Sequence, residues 1–253
     1  GTLWLYESYG WQPALLSLAA LIVVTLLALK LVRDPKPDDA SFLTKYRPSL
    51  RRVFARPEIR RLLLVIVIYR VVEAPAMAML NPMLVDADWS LTQIGLLFSV
   101  FGAGVGLLAA ISAGWLVKRD GAIRWLLGAG WLRSMAYGLL ALGLLTGFMN
   151  TWTFAAAVLV ILAIRYLAMT ALYAYFMQHC SRQQAGTDFT VLVCFELLVY
   201  FLGAALSGFL AKPLGYGWFF MLLCILSCVS VFLSQMLMRP ATVSTDTSSV
   251  SSS

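Results

Sequence analysis

Seven stretches of this chain run for about 20 residues or more with scarcely a charge in them, and nothing constrains its fold more. They cover residues 11–32, 62–84, 91–117, 123–148, 152–177, 189–211 and 217–238. A helix rises about 1.5 Å per residue, so each is long enough to cross ~30 Å of hydrocarbon. The composition agrees: 61% of residues are hydrophobic and 12% charged, with a mean hydropathy of +0.84. A soluble domain carries about 25% charged residues. The expected fold class is all-α, a polytopic membrane helical bundle with seven transmembrane helices. The net charge of +7 does not point to nucleic acid. The basic residues sit between apolar runs, where the lipid bilayer and topology explain them.

Orientation follows from counting. With the basic segment 33–61 inside, the alternating loops place Arg33, Lys36, Lys45, Arg47, Arg51, Arg52, Arg56, Arg60, Arg61, Lys118, Arg119, Arg124, Arg182 and Arg239 on the same side. Lys212 stands alone opposite, with Glu7, Asp86 and Asp88. That asymmetry predicts a cytoplasmic C-terminus. The expected divisions are a first helix within 1–33, a basic cytoplasmic linker over 34–61, a six-helix bundle over 62–239 and a Ser/Thr-rich disordered tail over 240–253. Pro57 is expected to end a short surface helix in the linker, and Pro75 and Pro82 to kink the second span.

The six-helix segment repeats itself. Gly114, Leu116, Lys118 and Gly121 fall on Gly208, Leu210, Lys212 and Gly215 at an offset of 94. The offset spans three helices, an odd number, so the matched helices run in opposite directions, as inverted repeats require. Glycine clusters at 102–106 and 203–208 would let helices approach closely.

A charge at mid-bilayer is costly, roughly 3 kcal/mol on insertion scales, so each one needs a reason. Arg70 and Glu73 stand at i, i+3 in the second span, Arg165 in the fifth and Glu196 in the sixth, at similar depth. Arg70 and Arg165 suit an anionic small-molecule substrate through their planar forks. Glu73 and Glu196 suit proton uptake and release, desolvation favouring the neutral carboxyl and a nearby arginine the charged one. The rival reading is two structural ion pairs, Arg70–Glu73 and Arg165–Glu196. Tyr69, Tyr166, Tyr173, Tyr175 and Tyr200 would add aromatic walls and hydroxyls, or pack. Arg133 lies in a span expected at the periphery and takes a structural or interface role.

His179, the one histidine, stands at a helix C-terminus, where water and the dipole account for it. Asp188 opens the sixth span as a loop or gating residue, or as a helix cap. Cys224 and Cys228 share a helix face without a His or carboxylate nearby, so no metal and no cofactor is expected. No phosphate-binding loop occurs, which leaves ATP-driven transport unsupported. No nucleophile and base sit together, so an enzyme is not expected.

The turn from Gly114 through Lys118, Arg119 and Gly121, followed by Arg124, resembles the loop signature between the second and third helices of each half of a major facilitator. Lys118 stands where that signature usually has Asp, which questions the usual charge relay. Tyr69-Arg70-x-x-Glu73, the entry 89–95 and the stretch 185–190 look like the muropeptide-permease-like branch, and Gly186-Thr187-Asp188-Phe189-Thr190 is most similar to the rhizobactin, pyochelin and yersiniabactin type of siderophore permease. The resemblance implies a bacterial inner-membrane permease, driven by protons, importing a siderophore or similar anionic molecule. It also implies that the chain is the sixth helix, central loop and C-terminal half of a 12-helix fold, with a missing N-terminal half as its partner. A muropeptide or drug permease is the alternative within the class, and a membrane-embedded ligand sensor the alternative outside it.

Overall fold

A computed structural model describes residues 11–31, 49–181 and 184–238. Glu7, Arg33, Lys36, Lys45, Arg47, Arg182, Arg239, the stretch 34–48 and the tail 240–253 lie outside the described residues. The fold is all-α, and among the described residues there is no strand. Contacts divide the chain at Arg47. The first unit holds α1, Trp11–Leu31, an apolar helix of 21 residues.

The second unit opens with α2, Leu50–Ala55. It stops where Arg56 turns extended (φ −76°, ψ 123°) before Pro57, because a residue preceding proline is pushed out of the helical region. Pro57 then opens α3, Pro57–Asp86, where its missing N–H costs nothing. The helix continues through Pro75 and Pro82 to its 30-residue length.

Ser90 and Gln93 form a reciprocal cap for α4, with hydrogen bonds of 3.2 and 3.0 Å. This helix, Leu91–Asp120, contains a five-residue π segment at Leu97–Phe101. The next, α5, is Ala122–Thr146 and ends at Gly147 in the left-handed conformation. Asn150 and Thr153 cap α6, Thr151–His179.

The final 54-residue run, Ala185–Met238, is two helices meeting at Gly215: α7 (residues 185–214) and α8 (residues 216–238). The break between the apolar runs 189–211 and 217–238 is thus a single residue. Helical structure passes through Pro213, and only Gly215 adopts the positive φ that breaks it (72°, ψ 159°). Among the described residues four stretches are long and apolar enough to cross a membrane: α3, α4, α6 and the α7–α8 run. With 25 residues α5 has the length, but it carries Arg124 and Arg133.

Glycines mark the helix crossings. A Cβ on Gly106 of α4 would stand 2.6 Å from the Tyr166 ring on α6, and one on Gly203 of α7 would stand 3.0 Å from Ala74 on α3. One on Gly130 of α5 would stand 2.5 Å from Val231 on α8 and 3.4 Å from Tyr69. The valine is rotamer-restricted and cannot swing aside. Gly130→Ala is expected to cost about 1–3 kcal/mol by overpacking, and Val231→Ala in that background to recover much of it. Thermal unfolding of the detergent-solubilised protein measures both, and an unchanged midpoint in Gly130→Ala would show that the crossing is looser than described.

Two apolar clusters stack along the bundle. One gathers Val72, Leu80, Leu84, Tyr137, Leu140, Phe154, Phe219 and Phe220. The other gathers Val53, Ile59, Ile66, Leu126, Ala168, Leu172, Phe176 and Leu192. Between them in sequence on α3, α5 and α6 fall Arg70, Arg133 and the stretch around Arg165. A polar layer is thereby held between two dry ones.

Candidate functional site

The layer is built around Glu73. Arg70, one helical turn before it on α3, donates from Nη1 to Glu73 Oε1 at 2.6 Å. The other terminal nitrogen of Arg70, Nη2, pairs with Glu196 Oε1 on α7. Arg165 Nε on α6 stands 3.5 Å from Glu73 Oε1, within ion-pair range but outside hydrogen-bond geometry. Arg133 Nη1 on α5 stands 3.7 Å from Glu73 Oε2. Four helices thus bring five charges together. Arg70, Glu73, Arg133 and Glu196 are each at most 4% exposed, while the Arg165 side chain is 25% exposed.

The expected pairing of Arg165 with Glu196 is replaced by another. Arg70 bridges both carboxylates, and Arg165 leans on Glu73. The reason is azimuthal: Arg70 faces α7, whose Gly203 packs against Ala74 and lets the two backbones close up.

Arg133, given a structural or interface role on a span expected at the periphery, is buried inside the bundle. Its Nε donates to Ser227 at 3.1 Å, its Nη1 donates to the Tyr69 carbonyl at 3.2 Å, and its guanidinium carbon lies 4.1 Å from the Tyr69 ring centroid. Its depth, matched to that of the other four charges, was the available signal.

The tyrosines separate by role. Tyr69 is 1% exposed, with its hydroxyl donating to the Leu126 carbonyl at 3.3 Å, so it is a buried platform for Arg133 and presents nothing to solvent. Tyr173 donates to Glu196 Oε2 at 3.3 Å. Tyr166 is 36% exposed and lies over Gly106. Tyr200 holds Arg70 and Arg165 near its ring, 5.6 and 5.4 Å from the centroid. Such contacts contribute about 0.5–2 kcal/mol, more as the cation is desolvated.

The loop residues lie away from this layer. Gly114 is open, and Lys118 and Arg119 are exposed. Gly121 takes φ 91° and ψ 152°. Asp120, which sequence reasoning passed over, knits the turn: it accepts from Arg119 Nε at 3.3 Å and from Trp125 Nε1 at 3.2 Å.

Asp188 is fully buried, and its carboxylate does more than cap a helix. It pairs with Arg56 and accepts from the Ser181 N–H at 2.9 Å and from Gln184 Nε2 at 2.9 Å. Gln184 in turn accepts from the Ser49 N–H at 3.3 Å. The α2–α3 junction is thereby latched to the segment before α7.

Cys180 sits in this latch. Its thiol is pushed above its ordinary pKa by burial and then by the Asp188 carboxylate, with Arg56 opposing. The thiolate is the reactive form. With the other cysteines removed, Cys180 is expected to alkylate slowly at neutral pH. Asp188→Asn is expected to speed it severalfold, by removing the negative charge and loosening the loop. Equal rates in the two proteins would separate the loop from the latch.

Among the described residues no group of His, Cys, Asp and Glu could hold a metal ion.

Apolar helices of spanning length with a charge layer inside them define a membrane protein with an internal polar site. The chain matches the model of the Major Facilitator Superfamily over residues 62–251 and belongs to that family. It is accordingly a membrane transporter.

Proposed function

We propose that this chain is part of a secondary active permease of the bacterial inner membrane that imports a ferric siderophore or a similar anionic small molecule together with protons. The carrying observation is Arg165. It is the one cluster cation with substantial exposure, and its counter-ion Glu73 is shared with Arg70 and Arg133. A substrate carboxylate therefore competes with Glu73 for Arg165, and protonating Glu73 releases Arg165 to the substrate. Arg70 fixes Glu73 and Glu196 in place, Tyr173 and Tyr166 border the site, and Tyr69 supports it from behind.

We read 62–239 as two inverted three-helix repeats working opposite a second half of the transporter. Supporting this, Gly121 and Gly215 stand at the matched offset with similar backbone angles (φ 91°, ψ 152° and φ 72°, ψ 159°). The end bearing Arg56, Lys118 and Asp188 then faces the cytoplasm, and the C-terminus with it.

The test is uptake of radiolabelled ferric siderophore by cells lacking the gene, complemented with the full-length protein, with and without a protonophore. Gene-dependent uptake that collapses with the protonophore supports the reading. Uptake unchanged by deletion rejects the siderophore, and muropeptides are assayed next.

A further inference from the structure

Two arginines and two glutamates form a balanced set, and that is how the sequence presents the site. The fold adds a third guanidinium. Arg133 reaches in from α5, is 4% exposed and stands 3.7 Å from Glu73 Oε2. With Arg70, Arg133 and Arg165 against Glu73 and Glu196, all ionised, the cluster carries one positive charge in excess. Facing the two carboxylates or their arginines stand Tyr69 and Arg70 from α3, Arg133 and Tyr137 from α5, Arg165 and Tyr173 from α6 and Tyr200 from α7. No other charged side chain is paired into the cluster among the described residues.

An excess charge in a dry layer is costly, and protonating a glutamate in the empty site would double it. Three guanidinium nitrogens of the cluster, Arg70 Nε, Arg133 Nη2 and Arg165 Nε, are buried without a hydrogen bond to the described residues. Glu73 Oε2 is likewise buried without one, so what awaits a ligand is the excess of charge.

We infer that Arg133 sets the proton count of the transporter, because its charge decides how much of a ligand's negative charge the cluster balances without a proton. A monoanion neutralises the site as it stands. The second charge of a dianion is balanced by a proton that leaves water and adds to a carboxylate oxygen of Glu73 or Glu196, with no bond made to the ligand. Arg133 touches no ligand in this scheme. It is a positioning residue, held by Ser227 and the Tyr69 carbonyl. The inference rests on the cluster being the substrate site.

The test has two arms, both on purified full-length protein. The first needs no ligand: infrared spectroscopy of the buried protonated-carboxyl band, assigned by its loss in Glu73→Gln or Glu196→Gln. Arg133→Gln is expected to alter that band's intensity severalfold at one fixed pH, while Arg133→Lys leaves it as in the wild type. Should Arg133→Gln fail to fold, Ser227→Asp neutralises the guanidinium where it stands and is expected to act alike. A band of the same intensity in every variant, or present in none of them, overturns the inference.

The second arm adds ferric siderophore in weak buffer with a pH-sensitive dye. Arg133→Gln is expected to take up about one more proton per ligand bound than the wild type. Equal proton uptake by the two also overturns the inference. If the wild type binds no siderophore while the infrared change is present, the siderophore reading fails and the charge assignment stands.

Discussion

Arg70→Ala is expected to destabilise the bundle by about 3–5 kcal/mol, the range for removing one partner of a buried ion pair. Arg70 is the closest cation to both carboxylates, at 2.6 Å from Glu73 and paired directly to Glu196, and all three side chains are at most 2% exposed. Removing it leaves two buried carboxylates, with only Arg165 and Arg133 nearby, at 3.5 and 3.7 Å from Glu73. Glu196 is left with the Tyr173 hydroxyl. The cost comes from the orphaned charges, not from the lost attraction, and this is checkable. Adding Glu196→Gln to Arg70→Ala is expected to recover much of the loss, because Glu196 is the carboxylate left without a cation while Glu73 keeps Arg165 and Arg133. Thermal unfolding followed by fluorescence-detected size exclusion gives both numbers. Arg70→Ala melting with the wild type would mean that the layer is wetter than its burial indicates.

Arg165→Ala is expected to separate function from stability. Glu73 keeps Arg70, and the Arg165 side chain is already 25% exposed, so the fold loses little. The substrate loses a charge-assisted contact of about 1.5–3 kcal/mol, which raises KM by roughly ten- to a hundredfold. Arg165→Lys keeps the charge but not the planar fork, and is expected to fall between. Wild-type KM in a well-expressed Arg165→Ala protein would remove Arg165 from the substrate path. The two arginines would thus fail differently, one by unfolding and the other by weak binding, although a hydropathy plot treats them alike.

The sequence by itself determined the helices. Uncharged runs of spanning length have one low-energy solution in lipid, because every backbone N–H and C=O must be satisfied within the segment. Pro57 set the start of α3, and Gly121, Gly147 and Gly215 set their breaks through backbone angles that other residues avoid. It also set depth, since counting 1.5 Å per residue along each span puts Arg70, Glu73, Arg165 and Glu196 at one level.

Spacing gave the Arg70–Glu73 pair, but tertiary structure alone decided the partners between helices. Periodicity fixes height along a helix but not which neighbour a side chain faces, and that depends on which helices close up at Gly106, Gly130 and Gly203. So Glu196 went to Arg70 and not to Arg165, Tyr69 turned inward beneath Arg133, and Arg133 came from a helix expected at the edge to stand beside Glu73. Asp188 likewise found Arg56, 132 residues away in the chain, a contact that no local pattern encodes. Burial made these choices: an unpaired charge between two dry clusters costs so much that the packing holding the most charges in mutual reach prevails.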